Sequence, residues 1–160
     1  MRDTLSIEPD DLTRRPVRDL ITEHLAEMYS VSPAESVHAL DHAQLLKDGV
    51  SFFTAWSGDT LLGCAALREL SPSEGEVKAM RTRPEARGRG VGGHLVAFLV
   101  EEARRRGYRR LNLETGTQDF FAPARRLYAR HGFVPTGPFG HYGPDPLSYF
   151  MTLDLTAPQN

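Results

Sequence analysis

The sequence predicts an α+β fold: a mixed, mostly antiparallel sheet with a central parallel β-α-β unit and flanking helices. Three observations carry that expectation. Short apolar runs separated by tight-turn residues fill the first half of the chain. From Glu76 onward the pattern changes to strand, helix, strand, helix, strand. Between the two halves lies a glycine-rich junction, and no segment repeats. A chain of 160 residues without linker or low-complexity tract reads as one domain, residues 1–160, large enough to bury a core without disulfide staples.

Residues 5–8 alternate weakly and predict a first strand. Residues 13–30 predict a helix, with Pro16 in its first turn and Val17, Leu20, Ile21, His24, Leu25 and Met28 on one stripe. Ser32 is placed to cap a second short helix reaching about Leu40, with Pro33 at its first position. Residues 51–56 and 60–70 are apolar runs around Ser57-Gly58-Asp59, a hairpin signal. Residues 72–75 form a turn and 76–82 a further strand. Residues 90–106 are strongly amphipathic through Val91, Leu95, Phe98, Leu99 and Ala103, and Gly107 ends that helix. A strand over 109–114 and a helix over 123–131, closed by Gly132, come next. The strand starting at Phe133 is soon broken by Pro135, Gly137 and Pro138; residues 148–155 form the last strand, and the tail beyond Thr156 is loose.

Composition narrows the function. Net charge is −2, which gives no reason to expect nucleic acid. The charge is uneven: residues 76–131 hold 13 Lys and Arg against 6 Asp and Glu. A basic stretch in an otherwise acidic chain suits a compact polyanion, although Arg104, Arg105, Arg106, Arg109 and Arg110 also serve simply to solvate a helix end and complement its dipole. The one cysteine, Cys64, excludes an internal disulfide and a Cys-based zinc site, and its apolar neighbours predict burial. No apolar run approaches a membrane span or a signal segment. The expectation is a cytoplasmic protein with no membrane partner, and the sequence leaves a monomer and a homodimer both open.

The junction Arg83-Pro84-Glu85-Ala86-Arg87-Gly88-Arg89-Gly90-Val91-Gly92-Gly93 lies between a strand and a helix. Glycines there let backbone N–H groups approach a phosphate, and the helix N-terminus adds partial positive charge. A loop with no ligand would carry that many glycines at an entropic cost for nothing. No Gly-Lys-Ser/Thr follows, which excludes a nucleoside-triphosphatase loop. Gly88, Gly90 and Gly93 do fit G-x-G-x-x-G, with Glu114 ending the next strand. Yet Arg83 to Arg87 separate the first glycine from its strand, and no second β-α-β half follows, so a dinucleotide site is disfavoured.

Arg87-x-x-Gly90-x-Gly92 resembles the R-x-x-G-x-G/A signature of the GNAT superfamily of acyl-CoA N-acyltransferases. The run from Glu76 to Thr82, followed by Pro84, resembles that family's fourth strand. Ala124-x-x-Leu127-Tyr128-x-x-x-Gly132-Phe133 resembles its later helix and the strand after it. One departure stands out: Phe121 occupies a position where the family often has Asn. The resemblance implies acetyl-CoA as cosubstrate and direct attack of an amine on its thioester in a ternary complex. It implies that Arg87, Gly88, Arg89, Gly90, Val91, Gly92 and Gly93 cradle the pyrophosphate. Met80, Arg81 and Thr82 would then meet the pantetheine, with a backbone N–H near Met80 polarising the thioester carbonyl.

For a lysine-like amine, deprotonation at pH 7 costs about 4.6 kcal/mol, so a base is valuable. The resemblance makes Glu76 the first candidate base and leaves Glu114 as the alternative; either could be a strand-end acid with no role. Tyr128 matches the family's usual general acid, which protonates the departing thiolate, and as a helix tyrosine it could equally pack on the sheet. His38, Asp41 and His42 are spaced three and four apart, which is weak evidence for a metal, and none is expected. The Gly- and Pro-rich run 137–148, with Phe139, His141, Tyr142 and Asp145, reads as an ordered loop lining a site. The expected acceptor is a small-molecule amine. A non-catalytic acyl-CoA sensor and a protein N-acetyltransferase are the competing readings.

Overall fold

The computed structural model describes residues 5–156, so the tail expected beyond Thr156 lies outside the described residues. Among the described residues, seven strands form one sheet: β1 (Leu5–Pro9), β2 (Val50–Ser57), β3 (Thr60–Ser71), β4 (Glu74–Thr82), β5 (Arg110–Gly116), β6 (Val134–Thr136) and β7 (Ser148–Asp154). Their order is β1-β2-β3-β4-β5-β7-β6, and β4–β5 is the parallel pair among antiparallel neighbours. The helices are α1 (Arg15–Val31), α2 (His42–Leu45), α3 (Val91–Arg105) and α4 (Ala122–Arg130). The mixed sheet with a parallel β-α-β unit is the one that the order of sequence signals predicts.

Alternation along β2 and β3 splits the apolar residues between two cores. Phe53, Ala55, Leu62, Ala65 and Leu67 pack with α3 and α4. Phe52, Leu61, Cys64 and Ala66 pack with Val17, Leu20 and Ile21 of α1 and Leu45 of α2. Leu95 and Leu99 of α3 are fully buried, and each burial stabilises by roughly 1.5–3 kcal/mol. Gly107, at φ +83°, turns the chain out of α3 in a conformation that costs glycine nothing.

Two expectations change. The helix from Ser32 to about Leu40 does not form; a single 3₁₀ turn at Ala34–Ser36 takes its place. Ser32 instead closes α1, its N–H donating to Met28 O. The chain then runs without helix to Asp41, which caps the much shorter α2 through a reciprocal capping box with Gln44. That geometry drops Leu40 into the second core. The other change is at Pro135, which does not break its strand but sits inside β6. As the outermost strand of the sheet, β6 has no further neighbour needing an N–H there.

Two irregularities of β4 create the site. Its pairing with β3 passes from Cys64↔Arg81 to Ala66↔Lys78, so Ala79 and Met80 together oppose Ala65 in a β-bulge, with Ala79 at φ +52°. Its pairing with β5 stops after Glu76↔Asn112. Beyond that point β5 continues against β7 alone, and β4 and β5 part. Gly63 lets the bulged strand lie close, because a Cβ there would stand 2.5 Å from the Arg81 carbonyl oxygen and 3.3 Å from Leu95. Gly63→Ala is therefore expected to destabilise the fold by about 1–3 kcal/mol through overpacking against backbone. Urea unfolding of the two proteins checks this, and equal midpoints would mean that β3 and β4 are not held so closely.

Candidate active site

A cavity of about 640 Å³ opens where β4 and β5 part. Of the residues expected to hold acetyl-CoA, Met80, Arg81, Thr82, Arg87, Gly88, Gly90, Val91, Gly92 and Gly93 line it, and Arg89 does not. The junction begins with a 3₁₀ turn, Pro84–Ala86, fixed by the buried Ala86. Gly88 and Gly90 follow at φ +80° and +79°. Gly90 is the N-cap of α3 and supplies no side-chain cap, and no acidic residue occupies the first turn. The first N–H groups of α3 are thus left for an anion, reinforced by the helix dipole. Gly92 also admits Leu127 of α4, which a Cβ would meet at 3.1 Å.

Alternation then sorts the next three residues. Met80 packs toward the core containing α3, and Thr82 Oγ1 lies beside Gly92. The Arg81 guanidinium belongs to α1, where Nη1 donates to Glu27 Oε1 at 2.9 Å. Cys64 is buried, its thiol donates to the bulged Ala79 carbonyl at 3.2 Å, and burial pushes its pKa up to about 12. It is a core residue and no nucleophile. At the far side of the junction, Phe121 lies against Gly116, where a Cβ would overlap its ring. An aromatic face thus lines the cavity at this position.

The two carboxylates separate. Glu114 lines the cavity, and burial raises its pKa to about 7, the charge of Lys78 partly offsetting the rise. Glu76 is 1% exposed and absent from the cavity wall. Its Oε2 accepts from the Tyr142 hydroxyl at 2.5 Å and lies 3.6 Å from Lys78 Nζ. The sequence points to Glu76 first, but Tyr142 stands on that carboxylate. Lys78 is 7% exposed and lines the cavity, donating to His38 O and to the Tyr142 hydroxyl, both at 2.8 Å. Burial lowers its pKa, against the pull of Glu76 and Glu114.

Tyr128 lines the cavity from α4, with its ring edge-on to Phe133 at 5.8 Å, and burial raises its pKa. His38, Asp41 and His42 do not converge. His38 packs edge-on to Tyr142, Asp41 caps α2, and His42 Nε2 contacts Thr22 Oγ1 and Arg18 O. Sequence reasoning missed Lys78, whose only signal is its place two residues after Glu76 on the same strand face. It also missed His24 as a wall residue: its ring lines the cavity, Nδ1 is buried without a partner, and burial lowers its pKa to about 4.

The profile of the acetyltransferase (GNAT) family matches residues 17–133. An N-acetyltransferase of Bacillus subtilis, YsnE, is 47% identical over 151 residues, covering 94% of this chain and all of that one. Among solved structures, one assigned to the acyl-CoA N-acyltransferases, from Klebsiella pneumoniae, superposes with a TM-score of 0.77 at 28% identity, covering 96% and 99% of the two chains. A GNAT family acetyltransferase from Elizabethkingia anophelis, solved with acetyl-CoA bound, shares the fold with a TM-score of 0.66 at 17% identity, covering 96% and 99%.

Gly90→Val tests the α3 end. A branched side chain at φ +79° is strained, and it would stand where a pyrophosphate approaches the helix N-terminus. Wild-type protein should melt higher with CoA and not with NAD, and the variant should lose most of the CoA shift. Stabilisation by NAD alone would overturn the assignment of the junction.

Proposed function

The chain belongs to the acetyltransferase (GNAT) family, and from that premise we propose that it transfers the acetyl group of acetyl-CoA to a small-molecule amine by direct attack in a ternary complex. The observation that carries the proposal is the continuity of one cavity from the uncapped N-terminus of α3 to the Glu114 carboxylate. It brings an anion-binding backbone, a bulged strand and a carboxylate of near-neutral pKa to one space.

Glu114 takes the proton of the incoming ammonium, and the freed amine attacks the thioester carbonyl carbon. A backbone N–H of the Ala79–Met80 bulge stabilises the resulting oxyanion. Collapse of the intermediate breaks the C–S bond, Tyr128 gives its proton to the CoA thiolate, and the remaining surplus proton on the new amide nitrogen passes to the Tyr128 oxygen and restores the phenol. Burial makes Tyr128 a weaker acid than an ordinary phenol, so the proton leaves only as the thiolate forms beside it. A base with pKa about 7 is near the optimum for transfer at neutral pH. Glu76 then supports the site by holding Tyr142 and Lys78.

A small acceptor is favoured over a protein by how the far end is closed. Ser36 Oγ donates to Asp145 Oδ2 at 2.7 Å, and Thr117 Oγ1 to Pro146 O at 2.9 Å, tying the 137–148 loop across the site. A polypeptide carrying its lysine to Glu114 would have to displace that loop. Retention of a placed base and acid favours the enzyme over a sensor. The reading extends to a cytoplasmic enzyme, in keeping with a lone buried thiol.

Glu114→Gln is expected to lower kcat/KM by about 10²-fold or more at neutral pH. The wild-type rate should rise with pH through about 7, because only the carboxylate accepts a proton. The deficit of the variant should shrink at high pH, where solvent deprotonates the amine. A loss uniform across pH would remove Glu114 as the base. Tyr128→Phe should lower kcat by about 10²-fold with the CoA melting shift unchanged; a parallel loss of binding would make it a packing residue.

A further inference from the structure

Lys78 has no role in the chemistry just described, yet it occupies the cavity wall with little exposure. Two of its N–H groups go to neutral oxygens, those of His38 and Tyr142. The Glu76 oxygen is 3.6 Å off and already accepts from Tyr142. The ammonium is thus balanced in charge by Glu76 but makes only two close hydrogen bonds among the described residues, both to neutral oxygens, and its third N–H can turn to an anion entering the cavity. The topology says where that anion must lie. Glu76 and Asn112 are the last parallel partners of β4 and β5. Two residues further on, Lys78 and Glu114 share that face of the sheet on the two lips of the opening.

Resting on the reading that Glu114 receives the acceptor's proton, we infer that the acceptor is an α-amino acid whose carboxylate binds Lys78 while its amine sits at Glu114. An ammonium and a carboxylate on one carbon match a cation and an anion on opposite lips of one opening. A simple alkylammonium at Glu114 would leave the third N–H of Lys78 without an acceptor in a wall with little water to supply one. Pairing the carboxylate with Lys78 also removes the field that holds the amine protonated, which eases transfer of that proton to Glu114. The acceptor end adds Met28, Val37 and Leu147 to the wall, apolar surface for an apolar amino-acid side chain.

The test measures CoA thiol release with leucine and methionine against their amides and their decarboxylated amines. The free acids should be preferred by about 10- to 100-fold in kcat/KM, the value of one charge-assisted hydrogen bond. Lys78→Gln should erase that preference mainly through KM for the acids, and Lys78→Arg should keep part of it. If these variants do not fold, the wild-type comparison of acid with amide decides alone. Amides or amines used as well as the acids overturn the inference. Turnover of polyamines or aminoglycosides with no turnover of amino acids overturns it and leaves the proposed function standing. Release from no amine of any class, with acetyl-CoA still raising the melting temperature, overturns both.

Discussion

The site depends on the parting of two parallel strands. After Glu76↔Asn112 the β4–β5 ladder ends, because β4 bulges at Ala79 and Met80 while β5 stays in register with β7 through Gly116. Buried backbone N–H and C=O groups without partners are costly, so such an opening persists only if something else satisfies them. A bound acyl-CoA can do so from within the gap. Both cores bear on the two lips, since Leu111 and Leu113 of β5 are held under α3 and α4 while Ala79 packs toward α1. The opening is thus a feature of the packed fold, and every candidate functional group is placed by its distance from it.

A buried cluster closes one end. Glu76, Lys78 and Tyr142 exchange hydrogen bonds with almost no solvent, and Tyr142 is ringed by His38, Phe139 and Phe150. The pair Glu76–Lys78 cancels charge that would be costly to bury alone. It also draws the 137–148 loop, with few regular backbone bonds of its own, onto the sheet. Glu114, on the lip opposite Lys78, gains a near-neutral pKa because the same loop and sheet exclude water from it. Structural burial and chemical tuning are here one effect.

The other end is built by leaving things out. An N-cap side chain at Gly90 would satisfy an α3 amide and stabilise the helix by roughly a few tenths of a kcal/mol over glycine. Glycine forgoes that and leaves the amides for a ligand. Gly92 and Gly116 give up side chains so that Leu127 and Phe121 can reach the cleft wall. The compensation comes from the fully buried side of α3, where Leu95 and Leu99 hold the helix regardless of its bare N-terminus.

The sequence by itself determined the order of elements, the amphipathic stripe of α3, the hairpin around Gly58 and the glycine-rich, side-chain-free backbone of the junction. Each is a pattern of near neighbours, and periodicity and backbone freedom are local properties. Even there, Ser32-Pro33 pointed to a helix start where Asp41 and Gln44 held the working cap, since capping signals compete and only the packed position of Leu40 chooses between them. Only the tertiary structure decided that Glu114 faces the cavity while Glu76 is covered by Tyr142, 66 residues away. It alone set Lys78 opposite Glu114, gave Arg81 to Glu27, and put Phe121 on Gly116. Those outcomes follow from which strands part and which loop lies over them, and contacts between distant segments leave no periodic trace in the chain.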